Sequence, residues 1–377
     1  MLFELTPDQQ FLRETTAKFL ANEAPISRTR DLREHPDGFD RTYWRRGADL
    51  GWTSLLVPED QGGGSVSGRG LIDLTLIAHE FGRSGAPGPL LATNVVAAAL
   101  GAAPSPAHAD VLSGLLDGTT VATWCFEEPN RLPGDIGLDL RFEGDGLLLN
   151  GRKRPVEAGA QSQHFLVTAR HGAGLAQVLV PAATPGVSIR PLTTLDLTSR
   201  SAVVDFNDVR VPTAALVSNL DDATAEVQQL FLQALVVQCA ESVGAMERGF
   251  ELTLEWAFDR YSFGRPLASY QELKHRFADM KSWLEGGHAI ADAAADAVDS
   301  RSNDAADLAS AAKAFIGHFG AELLQDCVQI HGGIGVTFEH DLHVFLRRLT
   351  LNRMLYGTPA DHRQRLAESA TTQAGVQ

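Results

Sequence analysis

Cysteine is nearly absent from this chain: only Cys125, Cys239 and Cys327 occur, far apart and with no C-x-x-C pair. That spacing offers neither a disulfide framework nor a cysteine zinc site, and it suits a reducing compartment. Positive charge is also in short supply, with 32 Lys and Arg against 47 Asp and Glu and a formal net charge of -15. Such a surface repels phosphate backbones and anionic bilayers, which argues against a nucleic-acid or membrane partner. No apolar run approaches the ~18 residues of a membrane span. The nearest, Val95 to Ala103, is short and Ala-rich and reads as a buried helix. The opening MLFELTPDQQ lacks a basic stretch followed by an apolar core, so no export signal is read there and a cytoplasmic location is expected. There is no H-E-x-x-H among the twelve histidines and no G-x-S-x-G elbow. The glycine cluster Gln61 to Ser65 lacks the Lys-Ser/Thr ending of a phosphate-binding loop.

What the sequence does contain is ordered in three blocks. The first reads helical. Thr6, Pro7 and Gln9 form a helix start with a capping box, and Phe11, Leu12, Phe19 and Leu20 follow at helical spacing. Further helices are predicted through Tyr43 to Leu50, Leu71 to Gly82, Asn94 to Leu100 and Ala107 to Leu116. From Thr119 the pattern changes to short apolar or alternating runs: Val121 to Phe126, Leu138 to Phe142, Leu147 to Leu149, Phe165 to Thr168, Gln177 to Val180 and Ser201 to Phe206. Turn residues separate them, and Glu143-Gly144-Asp145-Gly146 suits a hairpin, so an antiparallel β domain is expected. Beyond Asp221 four long helical stretches return, Val227 to Phe258, Phe277 to Val298, Ala305 to Ile330 and Asp341 to Leu355, with links short enough for an antiparallel bundle. The polar tail Ala370 to Gln377 is expected to fray. The reading is an α+β multidomain chain: an N-terminal helical domain (1–118), a middle antiparallel β domain (119–218) and a C-terminal four-helix bundle (219–377).

Two segments carry binding chemistry. In Asp259-Arg260-Tyr261-Ser262-Phe263-Gly264, followed by Gln271 and Ala278-Asp279-Met280, an arginine sits at a turn between two helices. From there its permanently charged fork can reach a pyrophosphate; equally, it can cap the helix end and pair with an acid, with Phe263 in the core. In Gln329-Ile330-His331-Gly332-Gly333-Ile334-Gly335, glycines after a helix let a ligand approach the backbone closely, or simply close the helix and start a flexible link.

Together these motifs resemble the R-x-x-F-G…Q…A-D-M and Q-x-x-G-G-x-G signatures of the acyl-CoA dehydrogenase family, and the order and length of the blocks resemble that family across the whole chain. Gly51-Trp52 leading to Val57-Pro58-Glu59 agrees. The resemblance implies FAD as cofactor, an acyl-CoA thioester as substrate and an electron-transfer flavoprotein as redox partner. It implies FAD contacts across a subunit interface from Arg260, Phe263, Gln271, Gln329, Gly332 and Gly333, a flavin contact from Thr358, and a homo- or hetero-tetramer.

The chain departs from the family pattern where the chemistry would occur. Tyr356, in Leu355-Tyr356-Gly357-Thr358, stands at the position of the usual catalytic glutamate, and a phenol of pKa ~10 is a poor base. The alternative base position on the preceding long helix is Ala234. Glu241, two helical turns on, is the remaining candidate; it reads either as a relocated base or as a carboxylate paired with an arginine. Phe126-Glu127-Glu128-Pro129 only partly matches the family's T-E-P, and Arg154 to Ala158 replaces its W-I-T. Two functions follow from the resemblance. One is an acyl-CoA dehydrogenase subunit performing α,β-dehydrogenation with hydride transfer to FAD. The other is a non-catalytic partner that lends FAD-binding residues across the interface, as in heteromeric complexes of the steroid-catabolism type.

Overall fold

The computed structural model describes residues 4–217 and 222–375. The expected boundary at 218/219 and the extreme termini lie outside the described residues.

Six helices form the first block: α1 (Pro7–Glu23), α2 (Ile26–Thr29), α3 (Arg41–Asp49), α4 (Gly70–Ser84), α5 (Leu90–Ala102) and α6 (Ala109–Leu116). The capping box at Thr6 forms as expected, with its hydroxyl accepting from the Gln9 amide and the Gln9 side chain returning to the Thr6 amide. Trp52 organises the core here. Fully buried, it meets Phe81 edge-on at 4.8 Å and Phe19 at 5.3 Å, and its indole N–H donates to Thr16 Oγ1 at 3.2 Å.

The middle block holds β1 (Ala122–Cys125), β2 (Asp139–Glu143), β3 (Gly146–Glu157), β4 (His164–His171), β5 (Gly174–Pro181), β6 (Val187–Leu192) and β7 (Ser201–Pro212). The β2–β3 hairpin turns at Glu143 to Gly146 as expected. The sheet, however, is mixed rather than antiparallel throughout: β1 runs parallel to β4, and β2 meets β4 in parallel at Asp139 and Arg170. Alternation in sequence reports which face a residue takes but not which neighbour the strand adopts, so direction was not legible. Strand β6, with Pro191 in it and one side of β7 to pair with, escaped the sequence reading, and β3 runs on through polar residues to Glu157. Inside the sheet Lys153 is fully buried. Its ammonium donates to Glu128 Oε1 at 2.8 Å and to the Phe126 carbonyl at 3.1 Å.

The third block begins with α7 (Thr224–Asp259), then a small hairpin of β8 (Tyr261–Ser262) and β9 (Arg265–Pro266), then α8 (Gln271–Asp299), α9 (Ala305–His331), α10 (Leu342–Met354) and α11 (Pro359–Gly375). The four expected bundle helices are present, with a fifth, α11, that the sequence reading did not include and that runs on through Ala370 to Gly375, where fraying was expected. Its start is set by Thr358, whose hydroxyl and amide both bond Asp361 Oδ2, at 2.7 and 2.8 Å.

Helices α4 and α7 cross at near backbone contact. A Cβ added to Gly82 would lie 1.9 Å from the Glu241 carbonyl oxygen, and one added to Gly244 would lie 2.0 Å from that of His79. Glycine is required at both places because the obstacle is backbone and cannot swing aside. Gly244→Ala is therefore expected to push the helices apart and to cost about 1–3 kcal/mol or more. The shift of the chemical-denaturation midpoint measures this; an unshifted midpoint contradicts the close crossing.

Candidate functional site

The two glycine- and arginine-bearing segments come together at one end of the bundle. Helix α7 ends at Asp259, and the Arg260 amide still bonds the Trp256 carbonyl at 2.8 Å. The Arg260 guanidinium lies over the Trp256 ring at 5.9 Å. Helix α9 ends at His331, whose imidazole stacks on the same Trp256 at 5.2 Å and 16°. Trp256 is thus a shared floor, with Arg260 on one neighbouring segment and Gly332 on the other. Gly332 takes φ 65°, ψ −137°, and no atom lies within 4 Å of where a Cβ of Gly332 or Gly333 would stand, so this backbone faces open space.

The side chains around this floor point outward. Arg260 is exposed and has no ion-pair partner among the described residues, so the pairing with an acid that its spacing also allowed is not what forms. Phe263, at φ 49° in the β8–β9 turn, is 99% exposed, which contradicts its alternative reading as core. Gln271 opens α8 and Gln329 lies in the last turn of α9; both are exposed. Phe258, Tyr261, Ile334, Val336 and Phe338 add exposed apolar surface on the same two segments. Together they surround the Arg260 guanidinium with a contiguous exposed apolar patch.

The opposite site, where a base would stand, is closed. Tyr356 is buried in the link between α10 and α11, at φ 58°. Its ring stacks on Trp124 at 6.1 Å and lies 6.4 Å from both Phe126 and Phe231, while Trp124 stacks on Phe126 at 4.3 Å. The Tyr356 amide donates to Glu127 Oε1 at 2.9 Å, and its carbonyl contacts His362 Nε2 at 3.0 Å. Below the link, the Lys313 ammonium is buried and donates to the Leu355 carbonyl at 2.7 Å and to Gln238 and the Asn352 carbonyl. Burial raises the Tyr356 phenol well above its ordinary range, further from a useful base. Burial also pushes Glu127 up to about 7 and Lys313 down to about 8.

Glu241 is fully engaged. Its Oε1 accepts from Arg348 Nε at 2.9 Å and Nη2 at 2.7 Å, and its Oε2 accepts from Asn352 Nδ2 at 2.8 Å. Arg348 reaches Asp196 with Nη1 at 3.1 Å. Glu157 shares this surrounding, bonded by Ser199 Oγ at 3.3 Å; burial pushes it up to about 7, against the pull of Arg348. The space that Glu157, Glu241, Arg348, Asn352 and Leu355 line holds only about 10 Å³. Ligand pockets run to hundreds of Å³. Of the two readings of Glu241, the arginine-paired one is the contact the structure forms. Thr358 is likewise occupied, as the cap of α11.

The residues around the bundle end fit the pyrophosphate and adenosine side of a dinucleotide: an unpaired guanidinium, open glycine backbone and exposed rings. The residues around Tyr356 do not fit a flavin ring in the same chain, since aromatic side chains and the Glu128–Lys153 pair fill and cross-link that region. Sequence reasoning missed Trp256 and Lys313. Trp256 stands one helical turn before Arg260, a spacing that places both on one face, and Lys313 is a lone cation in the Ala-rich stretch of α9.

This three-block architecture, with the paired motifs at one bundle end, is that of an acyl-CoA dehydrogenase. The family's N-terminal domain matches residues 6–118 and its C-terminal domain matches residues 226–371, and the chain belongs to this family. The acyl-CoA dehydrogenase IpdE2 of Mycobacterium tuberculosis is 30% identical over 366 residues, covering 96% of this chain and 98% of the relative. Among solved structures, the ChsE4-ChsE5 complex from Mycobacterium tuberculosis matches with a TM-score of 0.88 and 26% identity over 98% of this chain and 99% of that one. A variant of the Tcur3481-Tcur3483 steroid ACAD matches with a TM-score of 0.87 and 26% identity over 97% and 98%.

A pH test follows from Glu127. With its folded pKa about 7 and an unfolded value of ~4.3, the folded chain keeps a proton that the unfolded chain has released. Its contribution to stability is complete below pH ~4 and lost as pH rises through ~7. His362, pushed down to about 4 by burial, acts in the opposite sense over pH ~4–6.5. The Glu127 share is isolated by difference: Glu127→Gln flattens the decline of the urea midpoint between pH ~5 and ~8. Superimposable profiles for the two proteins contradict the assignment.

Proposed function

We propose that this chain is the partner subunit of a heteromeric acyl-CoA dehydrogenase, lending the dinucleotide-gripping end of the site to a second, base-bearing subunit. The observation that carries this reading is the contrast between the two ends: Tyr356 sealed among Trp124, Phe126 and Phe231, and Arg260 with Gly332 and Gly333 standing open beside exposed Phe263. Arg260 would give its guanidinium to the pyrophosphate of FAD, the Gly332–Gly333 backbone would admit the adenosine side, and Phe263, Gln271 and Gln329 would line it. When bound, FAD supplies the hydride acceptor. The assembly then performs α,β-dehydrogenation of an acyl-CoA and passes its electrons to an electron-transfer flavoprotein in the cytoplasm. A steroid-derived acyl group is supported by the matches to the steroid ACAD variant and to the two-component ChsE4-ChsE5 complex.

The visible spectrum separates this reading from a self-sufficient enzyme. The chain purified alone is expected to be colourless and to gain flavin only when co-expressed with an acyl-CoA dehydrogenase-like partner. An isolated chain that carries FAD and bleaches with acyl-CoA overturns it.

Within the assembly, Arg260→Ala is expected to weaken FAD retention by roughly tenfold or more, the effect of losing a charge-assisted contact of ~1.5–3 kcal/mol. Glu241→Gln is expected to leave turnover unchanged, because its carboxylate serves Arg348 and not the substrate. Turnover abolished by Glu241→Gln in a folded assembly would restore Glu241 as the base.

A further inference from the structure

Away from both ends of the site, three helices bring two imidazoles and a carboxylate to one point. His79 comes from α4, Glu247 from α7 and His288 from α8; the histidines are buried and the glutamate partly so. One oxygen, Glu247 Oε2, lies 2.9 Å from His79 Nε2 and 3.5 Å from His288 Nε2. The donor atoms of all three residues fall within 4.8 Å of one another. His79 is 6% exposed, yet neither of its ring nitrogens makes a well-directed hydrogen bond. A short N···O separation with the N–H direction off target is unusual for an imidazole–carboxylate pair. It is what two ligands of one ion show: with bonds of ~2.0–2.2 Å, neighbouring donors sit ~3.0 Å apart at right angles and ~3.4 Å apart at the tetrahedral angle.

The surroundings also resemble those of a metal ligand set. Glu80 Oε1 lies 3.5 Å from His79 Nδ1, a carboxylate on the outer side of the ring. Arg83 holds the other oxygen of Glu247 at 2.9 Å, which leaves Glu247 a single free donor oxygen, and Arg83 is itself paired with Glu251.

We infer that His79, Glu247 and His288 form a divalent-metal site, with Zn²⁺ or a similar borderline cation bound by two imidazole nitrogens and one carboxylate oxygen. Two nitrogens and one oxygen favour such ions over Mg²⁺ or Ca²⁺, which prefer oxygen donors. The site is separate from the dinucleotide surface, and its role is to pin α4 of the N-terminal block to α7 and α8 of the bundle. A proton competes for the same place, because His79 protonated between Glu80 and Glu247 satisfies those carboxylates without a metal.

The test uses the full chain stripped with chelator and then titrated with Zn²⁺ at neutral pH. The expected result is one tightly held equivalent of zinc per chain by elemental analysis after gel filtration, with a melting temperature that climbs with zinc concentration. Mg²⁺ produces neither effect. His288→Gln and Glu247→Gln each weaken zinc binding by roughly tenfold or more and abolish the thermal shift. If the wild-type chain retains no stoichiometric zinc, the proposal fails, with no variant needed to reach that conclusion. Zinc bound equally by wild type and His288→Gln, through other histidines, overturns it as well.

Discussion

The Arg348 guanidinium is the interaction on which the interior of this chain depends. It is buried and always charged, so it must be met by fixed acceptors, and Glu241 of α7 and Asp196 of the segment before β7 supply them. The one ion thereby ties α10 to α7 and to the sheet block. Asn352, one turn further along α10, completes the grip on Glu241. Both Glu241 oxygens are thereby taken up, and the space beside them is only about 10 Å³.

The same economy governs the link at Tyr356. A tyrosine with φ 58° is an uncomfortable conformation for a bulky side chain, and it persists only when its neighbours fix it. Glu127 takes its amide, His362 meets its carbonyl, Lys313 holds the preceding carbonyl and three aromatic rings enclose the phenol. At the other end, among the described residues, Arg260 has no acid, Phe263 no cover and Gly332 nothing near its missing side chain. The contrast between a filled end and an open end is the observation behind the partner-subunit proposal.

Much of the architecture was legible because it rests on local chemistry. The capping box at Thr6, the hairpin at Glu143 to Gly146 and the four long bundle helices follow from caps, turns and apolar spacing. Helix α11 was missed because its sequence, from Pro359 onward, is polar, and its start depends on Thr358 and Asp361 bonding each other. The mixed sheet was missed because β1 and β4 meet across some forty residues of chain, and nothing within either strand encodes the direction of its neighbour.

The candidate site divides the same way. The sequence alone picked out the Arg260 turn and the Gly332–Gly333 turn, which are signatures of residue type and spacing. It also shows Tyr356 and Ala234 at the two positions where the resemblance puts a base. Only the tertiary structure decided that Trp256 joins those two turns into one surface, that Glu241 is bound to Arg348, and that His79, Glu247 and His288 converge. The physical reason is that partnership between side chains is set by helix crossings such as Gly82 against α7, where backbone approaches backbone, and those crossings bring together residues that no local pattern relates.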